Sequence, residues 1–198
     1  LFFVISGYCI AAAADSTRRK EKPLKTYTSR RARRIYPTYA VWLLCMTCLL
    51  VLAECVIPHA GFWRAKDGFV PVSRMHLTGW LTNLGLVHTW LPSMIGVQKI
   101  NSTVVAWTLC YEVQFYAVIG AIIAFAPRQL FAGVWLVSAP LAILFVLQPI
   151  LGLEAPIDGT FLDGRWLQFA MGVGVYQFAN YDKSWSKAAF IGLLLLVA

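Results

Sequence analysis

The sequence predicts an all-α, polytopic integral membrane bundle, and three observations predict it. Hydrophobic residues make up 59% of the chain against 13% charged, with a mean hydropathy of +0.66, well beyond the roughly 45 to 50% apolar content of soluble domains. Uncharged or nearly uncharged runs of spanning length recur at 35–57, 107–126 and 130–153. A basic block abuts the first of them: from Arg18 to Arg34 it holds nine of the 17 Lys and Arg residues. The net charge of +8 is therefore concentrated beside a membrane helix and predicts orientation rather than nucleic-acid binding. About six spans are expected within these 198 residues.

Taken in order, residues 1–14 carry no charge but reach only about 21 Å as a helix, and are expected to be the last part of a span whose start lies upstream. The chain is expected to be truncated at both ends. Residues 15–34 read as a basic cytoplasmic loop, with Pro23 interrupting any long helix as far as Thr28. The stretch SRRARRIYPTY at 29–39 then leads into the span 35–57, whose one charge is Glu54. Pro37 predicts a kink or a fresh helix start near Tyr36. If the segment is helical, Tyr27, Arg30, Arg31, Arg34 and Thr38 share a face and Arg33 points elsewhere.

Residues 58–103 form a mixed external loop. Within it, 79–92 is apolar but only about fourteen residues long, with tryptophan at both ends, which suits a re-entrant or interfacial helix better than a full span. If that piece does not cross, twelve of the 17 basic residues fall on the side of the 15–34 block. The spans 107–126, 130–153 and 166–181 follow, with the acidic loop 154–165 outside and another span from 188 onward.

Glu112 is the most informative single residue, because a carboxyl inside a spanning helix is costly unless it faces a cavity or a partner. Thr108, Glu112, Tyr116 and Gly120 recur at i, i+4 spacing and would line one wall of a site; a structural ion pair with an arginine is the competing reading of Glu112. The arginines likewise have two readings, topology signal beside anionic headgroups or specific anion site. Cys45 and Cys48 sit in an apolar helix with no histidine nearby and read as packing residues. His59, His76 and His88 lack a metal-ligand rhythm, so no metal site is expected.

Three segments together resemble the membrane acyltransferase-3 superfamily: FFVISGY at 2–8, RRARRIYPTY at 30–39 and WTLCYEVQFY at 107–116, with FAMGVGVY at 169–176 similar to a later family helix. The resemblance implies about ten spans in the intact protein and transfer of an acyl group, acetyl by expectation, from acyl-CoA to a hydroxyl of a cell-envelope or exported carbohydrate. It implies that Arg31 and Arg34, with Arg30 beside them, hold the donor's phosphates. It also implies that Ser6, Gly7, Trp107, Thr108 and Tyr116 line the site, and that Glu112 supports catalysis. The family's general-base histidine is expected upstream of Leu1, so the fragment alone is expected to be inactive. No bound cofactor or metal is expected; acyl-CoA is a co-substrate. The partners expected are the bilayer, acyl-CoA and a carbohydrate, and the location a bacterial inner membrane with 15–34 in the cytoplasm. A multi-pass transporter or flippase of a sugar- or lipid-linked anion is the alternative that intramembrane acid and broken helices would also fit.

Overall fold

A computed structural model describes residues 1–56, 72–89, 106–152, 162 and 164–181. Six α-helices occur among the described residues, with no β-strand: α1 (Phe2–Arg18), α2 (Pro23–Val56), α3 (Leu77–Leu84), α4 (Trp107–Phe125), α5 (Leu130–Leu151) and α6 (Arg165–Asn180). Short 3-10 turns occupy Val72–Arg74 and Pro127–Gln129. Three stretches, Pro23–Val56, Trp107–Phe125 and Pro127–Ile150, are long and apolar enough to cross a bilayer. Large apolar side chains stay exposed along them, among them Leu44, Leu52, Phe125, Leu136 and Ile150. Lipid, which satisfies apolar surface but no backbone group, is the solvent such helices require. The chain is an all-α integral membrane protein.

The basic loop is much shorter than 15–34. α1 continues past the uncharged run because its last turn is locally self-satisfied: Arg18 Nε meets Asp15 Oδ1 at 2.6 Å, and the Ser16 and Thr17 hydroxyls donate back to the Ala13 carbonyl. Arg18 also places a cation at the helix C-terminus, where the dipole favours one. Only residues 19–22 lie between the helices. Pro23 does not interrupt a helix; it is the first residue of α2, where its missing N–H costs nothing. Nor does Pro37 end or restart the helix, which runs unbroken for 34 residues. The carbonyl deprived of its partner is that of Arg33, at an exposed position where other groups can satisfy it. At about 1.5 Å per residue α2 is roughly 51 Å long, so its basic first third extends beyond the roughly 30 Å of hydrocarbon.

The buried side chains of α2 recur at every fourth position: Tyr27, Arg31, Ile35, Tyr39 and Leu43. Arg30, Arg34 and Thr38, expected on the same face as Tyr27 and Arg31, are exposed, as is Arg33. The face is narrower than i, i+3 and i, i+4 spacing together would make it, because the packing follows the i, i+4 row alone.

The chain forms two compact units, residues 1–31 with 114–198 and residues 32–113. In the first, α1 crosses α6 where two glycines face each other. A Cβ on Gly7 would fall inside the Phe169 carbonyl and 3.2 Å from Gly172 Cα, and one on Gly172 would fall inside the Val4 carbonyl. Backbone meets backbone there, the contact that small residues make possible between membrane helices. Beside the crossing lies an aromatic core. Phe115 stacks on Phe169 at 4.5 Å and meets Phe3 and Trp166 edge-on at 5.7 and 5.6 Å. Polar ring atoms in this core are satisfied: Trp166 Nε1 donates to Ser138 Oγ and Trp135 Nε1 to Gln177 Oε1, both at 2.8 Å.

In the second unit, Glu54 accepts the backbone N–H groups of Val72 and Ser73 at 2.7 and 3.3 Å, so the single carboxylate of this apolar run caps a 3-10 turn. The stretch expected at 79–92 forms the eight-residue α3 followed by a turn in which Leu86 adopts a φ of 55°. Tyr39 Oη donates to the Asn83 carbonyl at 2.8 Å, tying α3 to α2. Positions 90–92, most of the external loop at 58–103, the loop 154–165 apart from three positions, and the span expected from 188 onward lie outside the described residues.

Candidate functional site

Arg31 is the centre of the first unit's polar chemistry. The i, i+4 row turns its side chain inward, and only 7% of the residue is exposed. Its guanidinium lies 5.2 Å from the centroid of the Tyr116 ring and 5.8 Å from that of Tyr27, and the two rings meet edge-on at 6.4 Å. One N–H bond leaves the cage, from Arg31 Nη2 to the Cys9 carbonyl at 3.3 Å. No carboxylate lies within ion-pair distance of Arg31 among the described residues. The cage thus desolvates a permanent cation and gives it two aromatic faces, worth about 0.5 to 2 kcal/mol each.

Gly120 is what brings α4 close to this cage. A Cβ there would sit 3.8 Å from Tyr27 Cε1 and 3.6 Å from Leu24 Cδ1. Tyr27 itself is 1% exposed, and its hydroxyl has no hydrogen-bond partner among the described residues. A phenol hydroxyl is a hydrogen-bond donor.

The other candidates divide. Arg30 and Arg34 are exposed, so of the three arginines only Arg31 is enclosed. Tyr116 joins the cage, whereas Thr108 and Glu112 lie half-buried in the second unit. The stripe 108–112–116–120 is one flank of α4; its most buried side chains are Cys110, Tyr111, Phe115, Ile119 and Ile123. Trp107 is 40% exposed and meets Tyr111 edge-on at 6.0 Å. Ser6 is half-buried, and Gly7 faces the α6 backbone at the helix crossing.

The second unit contains a buried polar cluster of its own. Cys110 Sγ lies 3.5 Å from both ring nitrogens of His88, and both residues are buried. Equal distances place the sulfur off either N–H axis, the geometry of packing rather than of a directed hydrogen bond. Among the described residues no three His, Cys, Asp or Glu side chains converge as a metal site would require.

One cluster in the first unit escaped the sequence reading. Just beyond the uncharged run, Asp15 accepts hydrogen bonds from Tyr181 Oη at 2.6 Å and Tyr176 Oη at 3.1 Å in addition to its pair with Arg18. Arg18 also donates to the Arg128 carbonyl and to Tyr181, and lies 5.5 Å over the Phe131 ring. Burial alone would push the Asp15 carboxyl up. The Tyr181 hydrogen bond, the Arg18 charge and the bonds from Arg18 and Tyr176 outweigh it, and hold the carboxyl below its ordinary value. The local signal was an Asp and an Arg three residues apart at the end of an apolar run; its tyrosine partners lie more than 160 positions away.

Comparison with known proteins gives one match. A family model described as an acyltransferase domain matches residues 1–198, the full length of the chain. No curated protein and no solved structure matches.

Proposed function

From the premise that the chain belongs to the acyltransferase-3 family, we propose that it serves a membrane-bound O-acyltransferase. That enzyme moves an acyl group, acetyl by expectation, from acyl-CoA to a hydroxyl of a cell-envelope or exported carbohydrate. The observation that carries the donor half of this reading is Arg31: a buried guanidinium with aromatic faces and no carboxylate partner among the described residues is ready to take an anion. Arg31 anchors a phosphate of the donor. Arg30 and Arg34, exposed on the same helix, draw the polyanion in from the cytoplasm without fixing it.

In the transfer itself the acceptor oxygen attacks the thioester carbonyl carbon. A C–O bond forms, the C–S bond breaks, and CoA leaves with the proton taken from the hydroxyl. A general base moves that proton, and the family resemblance implies that it is a histidine. Glu112 has the supporting role of orienting the acceptor or its helix. The charge of the basic start of α2 supports a cytoplasmic position for it, and the family resemblance supports a bacterial inner membrane.

The test is acetyl-CoA binding to the intact protein in detergent at two salt concentrations. Arg31→Met keeps the volume of the side chain and removes its charge, and is expected to abolish saturable binding at both. Arg34→Ala is expected to weaken binding severalfold at low salt and little at high salt. If Arg31→Met binds as wild type does, the arginine is a topology and packing residue, and transport of a sugar- or lipid-linked anion becomes the reading to pursue.

A further inference from the structure

The Tyr27 hydroxyl makes no hydrogen bond among the described residues. Its ring packs against Arg31, Tyr116 and the α4 backbone at Gly120, and phenylalanine would make the same contacts. The oxygen, in contrast, is sealed from solvent and lacks a partner among the described residues. Buried hydroxyls are nearly always paired, because leaving one unpaired forfeits its bonds to water with nothing in return. An oxygen kept in that state, on the ring that cages a guanidinium with no carboxylate partner among the described residues, suits a polar group that arrives with an anion.

We propose that Tyr27 Oη and the Arg31 guanidinium act as a two-point donor for one phosphate group, the hydroxyl donating a hydrogen bond to an oxygen of the phosphate whose charge the guanidinium holds. The proposal rests on the reading of Arg31 as an anion anchor and adds Tyr27 as a binding residue. Arg31 supplies charge and planar N–H donors; Tyr27 supplies a neutral donor on a rigid ring, with two side-chain torsions already fixed by packing. Its geometry differs from that of a lysine or arginine, because the O–H is directional while no second charge is added to the cage. Carboxylates compete for Arg31, and a fixed second donor favours a tetrahedral oxyanion over a planar one.

The phosphate can belong to acyl-CoA or to an anionic lipid headgroup, and two arms separate them. In the first, the intact protein in neutral detergent is titrated with acetyl-CoA, wild type against Tyr27→Phe and Arg31→Met, with thermal unfolding recorded before ligand is added. In the second, the same proteins are unfolded in nanodiscs of phosphatidylcholine with and without phosphatidylglycerol, without CoA. Tyr27→Phe is expected to unfold at or above the wild-type temperature before ligand, since it removes an unpaired polar atom, and to bind acetyl-CoA about tenfold more weakly. A Tyr27→Phe loss confined to the phosphatidylglycerol arm keeps the two-point site and assigns it to lipid. If Tyr27→Phe is less stable before ligand, the hydroxyl already has a partner in the fold and the proposal fails. If Tyr27→Phe responds as wild type in both arms while Arg31→Met loses acetyl-CoA, the two-point site is wrong and the Arg31 anchor stands. If neither variant loses either response, both readings fall.

Discussion

Gly172→Ala places a methyl group where the carbonyl oxygen of Val4 already sits and 2.8 Å from the Tyr8 nitrogen. Gly7→Ala does the same to the Phe169 carbonyl from the opposite helix. In both cases the obstacle is backbone, so no rotamer change relieves it, and the helices must part by roughly 1 Å or more. Overpacking of this kind costs about 1 to 3 kcal/mol. Parting the helices also loosens the Phe115–Phe169 stack and the Asp15 contacts with Tyr176 and Tyr181 on either side of the crossing. Each single variant should therefore lose about 3 kcal/mol, a fall of roughly 6 to 12 °C in unfolding temperature for a chain of this size. The double variant is the sharper case, because the separation forced by one methyl makes room for the other. Its loss should be about 4 kcal/mol rather than the sum of about 6. Tryptophan fluorescence during thermal unfolding in detergent reads all three, with eight tryptophans in the chain to report. Single variants within about 0.5 kcal/mol of wild type, or a double variant that is fully additive, would refute a backbone-to-backbone crossing.

Asp15→Asn should cost about 2 kcal/mol at neutral pH by unpairing Arg18 and weakening the tyrosine bonds. Because the folded carboxyl titrates below its ordinary value of 3.8, its contribution is complete above that value and is lost as the pH falls through the lower folded one. Unfolding curves of wild type and Asp15→Asn should thus be separated at pH 7 and converge in acid; a gap that persists in acid would show that the charge is not the cause. Trp166→Phe removes the donor to Ser138 and should cost about 1 kcal/mol, read by chemical unfolding, with no change expected in acetyl-CoA binding. Glu54→Gln keeps an acceptor for the Val72 and Ser73 N–H groups but not the charge, and should increase hydrogen exchange locally at those two amides while leaving the global unfolding temperature within about 1 °C.

The helices were legible because the apolar runs that become α2, α4 and α5 are long, and length in a bilayer is set by thickness rather than by partners. What composition hid was where the polar segments stop. Asp15 to Arg18 reads as loop by polarity, yet the i, i+3 ion pair keeps it helical. Pro23 and Pro37 read as breaks, yet one opens α2 and the other is carried within it. The helical face through Tyr27 was half legible. Spacing put Tyr27 and Arg31 together, but which neighbours turn inward depends on what packs against them, and Arg30 and Arg34 proved to face outward. Within the 108–120 stripe, Tyr116 meets Tyr27 and Arg31, and Gly120 lies against Tyr27. The Asp15 cluster was out of reach, because its tyrosines are distant in sequence and carry no local mark.

That distance has a consequence in time. Asp15 and Arg18 leave the ribosome roughly 160 residues before Tyr176 and Tyr181, an interval of about ten to thirty seconds at ordinary rates of synthesis. Through that wait the two charges neutralise each other within a single helical turn, so α1 never holds a bare ion at the membrane edge while its partners are still unmade. When the last described helix arrives, the phenols of Tyr176 within it and Tyr181 just after it close on a carboxylate already held in place. The ion pair therefore keeps α1 tolerable while it is alone, and the two phenols record that α6 has been delivered.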